Sequence, residues 1–212
     1  MSDSAEPSDT PQPAETDPTA ETDPTAETDP TAETDPTAET DQTFGRRRSR
    51  ALVLILVVAV LVVLADQLTK LWATSSLQEG EYHSLIGNLF GIQLVYNSGA
   101  AFSFLVDQTW VFTIIAAAVV VALLYFSRRV GARSWAVAFG LLLGGALTHL
   151  GDRLFRAPSF GQGHVVDFIA YANWFIGNVA DIAIFCGAVL ALVLAVLGVP
   201  LRGRPRDEEP RD

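Results

Sequence analysis

The sequence predicts an all-α membrane protein with four transmembrane helices and a small extracytoplasmic β-hairpin or sheet, preceded by a disordered acidic tail. Three observations support this fold class. Half of the 212 residues are hydrophobic, and most of these are concentrated in four long apolar stretches. Basic residues flank the stretches in a one-sided pattern, and the first 45 residues contain none.

Residues 1–45 form the predicted tail. They contain 13 acidic residues, and from Glu15 they repeat the hexapeptide ETDPTA four times. Such a segment has almost nothing to bury, so we expect it to be disordered, as a solvated spacer rather than a docking element. Without the tail's 13 negative charges, the formal net charge of −10 becomes +3, so the acidic balance belongs to the tail alone.

Residues 46–201 are predicted to form one membrane domain, followed by a charged cytoplasmic tail at 202–212. The four apolar stretches lie at about 51–72, 109–126, 135–151 and 179–199. Each is close in length to the roughly 20 helical residues that cross a bilayer. The first follows a long tail and lacks a small-residue cleavage site, so it is predicted to remain as a helix. In the third, Gly140, Gly144 and Gly145 form a small-residue pattern that favours close helix packing.

Basic residues predict the orientation, because Lys and Arg beside transmembrane helices stay on the cytoplasmic side. Four crossings place 11 of the 14 basic residues on one side: Arg46, Arg47, Arg48, Arg50, Arg128, Arg129, Arg133, Arg202, Arg204, Arg206 and Arg211. Both termini are therefore predicted to be cytoplasmic. The loops at about 73–108 and 152–178 then face outward.

Four carboxylates are predicted to gather at the outer boundary. Counted from the basic residues at the inner face, Asp66, Asp152 and Asp181 lie at depths of about 24, 28 and 31 Å. Asp167 is flanked by apolar residues in GHVVDFIAY, which predicts an interfacial segment returning to the membrane. Charged groups at this depth are costly and mark functional sites. The alternative for each is helix capping, most plainly for Asp181 at the start of helix 4.

Two neighbouring carboxylates cannot both ionise easily, so one keeps a proton while the other remains a base. Such a pair can activate water and protonate a leaving amine, which is peptide hydrolysis. Asp152 directly precedes Arg153, whose charge is expected to hold it ionised. Asp167 and Asp181 lie among apolar residues without a basic neighbour, so local charge favours them as the pair.

The sequence disfavours three other functions. A metal site is suggested by two His/Asp pairs spaced i, i+3, which are His149 with Asp152 and His164 with Asp167. The HExxH motif is absent and Arg153 would repel a cation, which disfavours metal. Neither Ser98 nor Ser103 lies in a nucleophile motif. A non-enzymatic proton-coupled transporter or channel subunit would spread its acids across the membrane, but here the inner half of each helix is apolar.

The first outer loop, at about 80–106, is predicted to form a hairpin. YHSLI and LFGIQLVYN are separated by the turn pair Gly87 and Asn88. Alternation in the second segment places four side chains on one face: Phe90, Ile92, Leu94 and Tyr96. Such a sheet over the outer leaflet would cradle an extended peptide, and the alternative is a simple lid.

Five motifs occur in order: DQLTK (66–70), NSGAAFS (97–103), GGALTHLGDRL (144–154), GHVVDFI (163–169) and NVAD (178–181). In a four-helix protein they resemble the lipoprotein signal peptidase family, also called signal peptidase II, over about residues 50–195. The resemblance implies an aspartyl endopeptidase of the bacterial cytoplasmic membrane with its active site near the outer-leaflet face. It would cleave signal peptides from diacylglyceryl-modified prolipoproteins. It implies Asp167 and Asp181 as the catalytic residues, in agreement with local charge.

The resemblance also implies supporting or substrate-binding residues: Asp66, Lys70, Asn97, Asp152, Arg153 and Asn178. Lys70 and Arg153 would neutralise the other acids or hold substrate carbonyls, and Asn178 would orient Asp181 from three residues away. No metal or other cofactor is expected. The expected partners are prolipoprotein substrates and membrane lipid, without nucleic acid, and a monomer suffices for this chemistry.

The chain departs from the family pattern at two places. Thr148 and His149 stand where Gly-Asn is usual, and Gly177 stands where Phe is usual. His149 keeps a hydrogen-bond donor, so we expect its effect on substrate contacts rather than on activity itself. Gly177 is expected to loosen the start of helix 4.

Overall fold

The computed structural model describes residues 36–99, 109–172 and 174–202. They form, in chain order, α1 (Pro36–Ser76), β1 (Tyr82–Ile86), β2 (Phe90–Asn97), α2 (Thr109–Ser127), α3 (Arg133–Phe155), β3 (Val165–Tyr171), β4 (Phe175–Gly177) and α4 (Val179–Val196). Each of these four helices is long and apolar enough to cross a membrane. The predicted combination of four such helices with a small sheet is confirmed. Residues 1–35 and 203–212 of the predicted tails lie outside the described residues.

The helix ends differ from their predicted positions. α1 begins at Pro36, so residues 36–45, which were predicted as tail, are helical. Proline suits the first position of a helix, because the backbone N–H that it lacks would have no partner within the helix there. α3 continues to Phe155, four residues past its predicted end, and carries the DR motif on its last turns. α4 ends at Val196 instead of 199, because Gly198 takes a positive φ of 66° and a proline follows two residues later.

Helix α3 packs between α1 and α4 through its glycines. A Cβ atom on Gly144 would lie 2.7 Å from the Val62 Cβ of α1, and one on Gly145 would lie 2.5 Å from the Ile184 Cγ1 of α4. Real Cβ atoms do not approach other atoms this closely. The predicted small-residue pattern therefore serves helix packing, with neighbouring glycines facing different partners.

Replacing Gly144 by Ala is expected to force α1 and α3 apart, at a cost of about 1–3 kcal/mol for overpacking. The measurement is the thermal denaturation temperature of the purified protein in detergent. Gly151→Ala in the same helix is the matched control, because a Cβ there meets nothing within 4 Å. Equal denaturation temperatures for the two variants would contradict this account of the packing.

The sheet is antiparallel with the order β1-β2-β3-β4. Its first two strands form the predicted hairpin, which turns at Gly87 with a positive φ of 49°. The predicted alternation along β2 is wrong, because Leu94 is buried while Tyr96 is exposed. The pairing with β3 shifts register between Ile92 and Val95, and such a bulge redirects the side chains that follow it.

Strand β3 carries Asp167 and pairs with β2 and β4. The sequence predicted an interfacial segment here. The apolar neighbours Val166 and Phe168 pack against Ala73 and Leu94. β4 then leads into α4 after a single residue, so the sheet brings the two segments that carry the predicted catalytic acids side by side.

Candidate active site

Asn178 joins the two predicted catalytic carboxylates. It is fully buried and is the N-cap residue of α4. Its Nδ2 donates to Asp167 Oδ1 at 2.6 Å, and its backbone N–H donates to Asp181 Oδ2 at 2.8 Å. In return, Asn178 Oδ1 accepts the backbone N–H of Asp181 at 3.2 Å. The predicted hydrogen bonding to Asp181 is thus present, and the same residue also holds Asp167.

Asp167 is nearly buried, at 3% exposure. Its Oδ2 accepts a hydrogen bond from Asn97 Nδ2 at 2.9 Å. Burial raises the pKa of Asp167 to about 6, and the negative charge of Asp181 adds to the rise, while the hydrogen bonds from Asn97 and Asn178 and the charge of His149 lower it. In mildly acidic solution this carboxyl group therefore holds its proton.

Asp181 lies in the first turn of α4, with its side chain 30% exposed. Its Oδ2 accepts the cap N–H of Asn178, and its Oδ1 lies 3.1 Å from His149 Nε2. Helix capping, the alternative weighed for this residue, therefore does occur. It does not compete with a chemical role, because the carboxylate remains accessible beside Asp167.

Asp66, Lys70 and Asp152 form a buried charged group, which we call the Lys70 cluster. Lys70 Nζ lies 2.7 Å from Asp66 Oδ2 and 2.7 Å from Asp152 Oδ2. Asp66 Oδ1 also accepts the backbone N–H of Ala180 at 2.9 Å. The cluster thus links α1, α3 and the start of α4. Lys70 itself has no exposed surface, and its ammonium group pairs with both acids.

Arg153, the charge partner predicted for Asp152, attracts both Asp152 and Asp167, but the ion pairs of Asp152 are made with other residues. Asp152 pairs with Lys70 and with Arg156, whose Nε lies 2.7 Å from its Oδ1. Arg153 instead donates to the Gly163 carbonyl at 3.2 Å, and its guanidinium lies 5.3 Å from the centre of the Phe112 ring. Residues four apart share a helix face whereas adjacent residues do not, so sequence adjacency misassigned the pair.

Sequence reasoning missed three polar contacts of the site. Arg156 had a usable signal, its i, i+4 spacing from Asp152. Gln67, beside Asp66, donates to Asp152 Oδ1 at 3.2 Å. His149 was weighed as a metal ligand with Asp152 but contacts Asp181 on another helix, which no local spacing predicts. Within the described ranges, no three His, Cys, Asp or Glu side chains group as metal ligands.

The remaining predicted positions are placed as follows. Asn97 Oδ1 accepts the Gly99 N–H at 2.8 Å, and residues 100–103 of its motif lie outside the described part of the chain. Thr148 is buried and donates to the Gly145 carbonyl within α3. Gly177 is paired in the sheet directly before the capping box of α4, and a Cβ there would lie 2.8 Å from Asp181 Oδ2.

Comparisons with known proteins agree with the five motifs. The family model described as signal peptidase (SPase) II matches residues 58–197. A lipoprotein signal peptidase of Rhodococcus jostii is 42% identical over 156 residues, covering 74% of this chain and 79% of the relative. A lipoprotein signal peptidase of Mycobacterium avium is 45% identical over 152 residues, covering 72% of this chain and 84% of the relative.

Solved structures agree as well. A bacterial membrane enzyme determined by the in meso method at 2.3 Å superposes with a TM-score of 0.60 and 27% identity, covering 74% of this chain and 93% of that one. A second bacterial membrane enzyme structure, at 1.9 Å resolution, gives a TM-score of 0.59 and 30% identity, covering 67% of this chain and 92% of that one. The chain belongs to the signal peptidase II family.

Proposed function

We propose that this chain is a membrane aspartyl endopeptidase that cleaves the signal peptide from diacylglyceryl-modified prolipoproteins. Membership of the signal peptidase II family and relatives named lipoprotein signal peptidase support a hydrolase with this substrate class. The observation that carries the proposal is that Asn178 holds Asp167 and Asp181 together. A proton-coupled transporter is not favoured by these similarities.

The two carboxylates have different surroundings, which assigns their roles. Asp167 is buried with a raised pKa and serves as the acid, while the more exposed Asp181 serves as the base. Asp181 takes a proton from a water molecule as the water oxygen bonds to the scissile carbonyl carbon. Asp167 gives its proton to the carbonyl oxygen. When the tetrahedral intermediate collapses, the C–N bond breaks and the leaving amine takes the proton held by Asp181, while the new carboxyl group returns a proton to Asp167.

The supporting residues keep this pair in place. Asn97 and Asn178 each donate to one oxygen of Asp167, so its carboxyl plane is fixed from two sides. The Lys70 cluster holds the start of α4 through the Ala180 N–H, one residue before Asp181. Every one of these groups comes from a single chain, so a monomer is sufficient for the proposed chemistry.

We infer an orientation with both termini in the cytoplasm and the site near the outer leaflet. The backbone N–H groups of Gly131 and Ala132 donate to the Leu201 carbonyl, so the basic α2–α3 turn packs against the basic end of α4. The arginines at 46–50 begin the apolar part of α1, far along the helix from Lys70. This one-sided charge supports the inference, since cytoplasmic ends retain Lys and Arg. The scissile bond then lies where a substrate's membrane span ends.

Purified protein in detergent, incubated with a diacylglyceryl-modified prolipoprotein, tests the proposed function. Mass spectrometry should show one cut immediately before the modified cysteine, with the same rate in the presence of a chelator. An unmodified prolipoprotein is the matched substrate control and should be cut far more slowly. Absence of cleavage of the modified substrate, or its loss with chelator, would contradict the proposal.

The pH dependence of kcat/KM follows from the raised pKa of Asp167. Because the acid must be protonated, activity should fall as pH rises through about 6. Asn97→Leu removes a hydrogen bond that lowers this pKa, so the alkaline limb should move upward by about one pH unit. An alkaline limb that stays in place in the Asn97 variant, measured from pH 5 to 9, would contradict the assignment of Asp167 as the acid.

A further inference from the structure

The imidazole of His149 is the closest side-chain partner of Asp181 outside the cap. His149 lies on α3, and its Nε2 is 3.1 Å from Asp181 Oδ1. Both groups are partly exposed, at 20% for His149 and 30% for Asp181. The opposite oxygen, Oδ2, accepts the Asn178 N–H. The carboxylate of the proposed base is thus held between the start of its own helix and a histidine from a neighbouring helix.

Resting on the proposed function, we propose that His149 is a positioning residue for Asp181 and that its charge sets the pH range in which the carboxylate pair works. Its hydrogen bond fixes the direction of one Asp181 oxygen. Its protonated form adds a positive charge beside the pair, which favours ionisation of the acid. On its other side Asp181 approaches Gly177 closely, since a Cβ there would lie 2.8 Å from Oδ2.

Charged and titratable groups around His149 come from every element packed on the site. They are Asp181 of α4, Asp167 and Tyr171 of β3, Arg153 of α3 and the Lys70 cluster of α1 and α3. The cluster is internally paired, and Arg153 stays charged at all relevant pH values. The pKa of Tyr171 is raised by burial and by Asp181, so it stays neutral. Among these groups, the imidazole is therefore the one that both contacts Asp181 and acts on Asp167 through its charge.

The direction of the effect follows from charge. The His149 cation lowers the pKa of Asp167, so removing the imidazole should move the alkaline limb of kcat/KM to higher pH. The alkaline limb should therefore move upward when the imidazole is removed. A purely structural role in packing would lower the rate without moving that limb.

The experiment compares His149→Leu, which removes both hydrogen bond and charge, with His149→Asn, which keeps a donor without the charge. We expect Leu to lower kcat about tenfold with little change in KM, and Asn to recover most of that loss. Both variants should move the alkaline limb upward by about half a pH unit or more. His83→Asn is the matched control, because His83 is exposed on β1 and pairs only distantly with Glu81, at 3.8 Å.

An alkaline limb that stays in place in both His149 variants would overturn the inference, as would full kcat in the Leu variant. If the Leu variant does not fold, as judged by thermal denaturation in detergent, the Asn variant still decides the question through its pH profile. Failure of the proposed function is distinguishable, because then the wild type would not cleave the lipid-modified substrate or Asp167→Asn would cleave it at the wild-type rate.

Discussion

Asp167→Asn and Asp181→Asn are each expected to lower kcat by about a thousandfold or more, with KM changed little. Each substitution keeps the shape of the side chain and one acceptor oxygen, but it replaces the other oxygen by an amide donor and removes one proton-transfer step. Because the pair acts as a unit, the double variant should be hardly worse than either single one. Cleavage of the diacylglyceryl-modified prolipoprotein under single-turnover conditions measures all three rates.

The matched control for these variants is Glu81→Gln, an acid at an exposed position just before β1. It should leave the single-turnover rate unchanged. Thermal denaturation in detergent should show that both Asn variants remain folded, since Asn at either position can still accept the hydrogen bonds from Asn178. A folded variant of either aspartate that keeps a tenth of the wild-type rate would refute the assignment of the pair.

Lys70→Met is expected to destabilise the fold by about 3–5 kcal/mol, because it leaves a buried carboxylate without a counter-charge. Lys70 has no exposed surface and bonds Asp66 and Asp152 at 2.7 Å each. Asp152 retains Arg156 as a partner, so the uncompensated charge is that of Asp66. The measurement is the thermal denaturation temperature in detergent, with Leu68→Ala on the lipid-accessible face of α1 as the control for a change in the same helix.

A compensating substitution sharpens this test. In Lys70→Met/Asp66→Asn the unpaired charge is removed, while the Asn side-chain oxygen can still accept the Ala180 N–H. This double variant should regain more than half of the lost stability, since breaking a buried pair costs far more than replacing it. A double variant no more stable than Lys70→Met would show that the Lys70 side chain stabilises through packing alone.

The parts of the fold that the sequence predicted are those that depend on local composition. Four apolar stretches of sufficient length yielded the four helices, because hydropathy along one segment decides whether it can cross a bilayer. The hairpin turn at Gly87 followed from local turn chemistry. The apolar sequence around Asp167 likewise indicated a buried position, and the residue is 3% exposed.

The errors concern contacts between distant segments. Arg153 was paired with Asp152 by adjacency, although the partners that matter come from α1 and from the next helical turn. The contact of His149 with Asp181 joins α3 to α4 and leaves no periodic trace in the sequence. The bulge in β2 depends on its pairing with β3. The apolar alternation in the sequence therefore wrongly placed Leu94 and Tyr96 on the same face. Packing between helices and strands decides which side chains meet, and the spacing of residues within one segment does not reveal that packing.

A single turnover in ¹⁸O-labelled water tests most directly whether Asp167 and Asp181 activate water for direct attack on the scissile bond. Enzyme in excess is mixed with the diacylglyceryl-modified substrate, and the released signal peptide is analysed by mass spectrometry. The mechanism predicts one ¹⁸O atom in the new carboxylate of the signal peptide and none in the enzyme. An unlabelled product carboxylate, with the label in an aspartate of the enzyme, would show a covalent acyl intermediate and contradict the account.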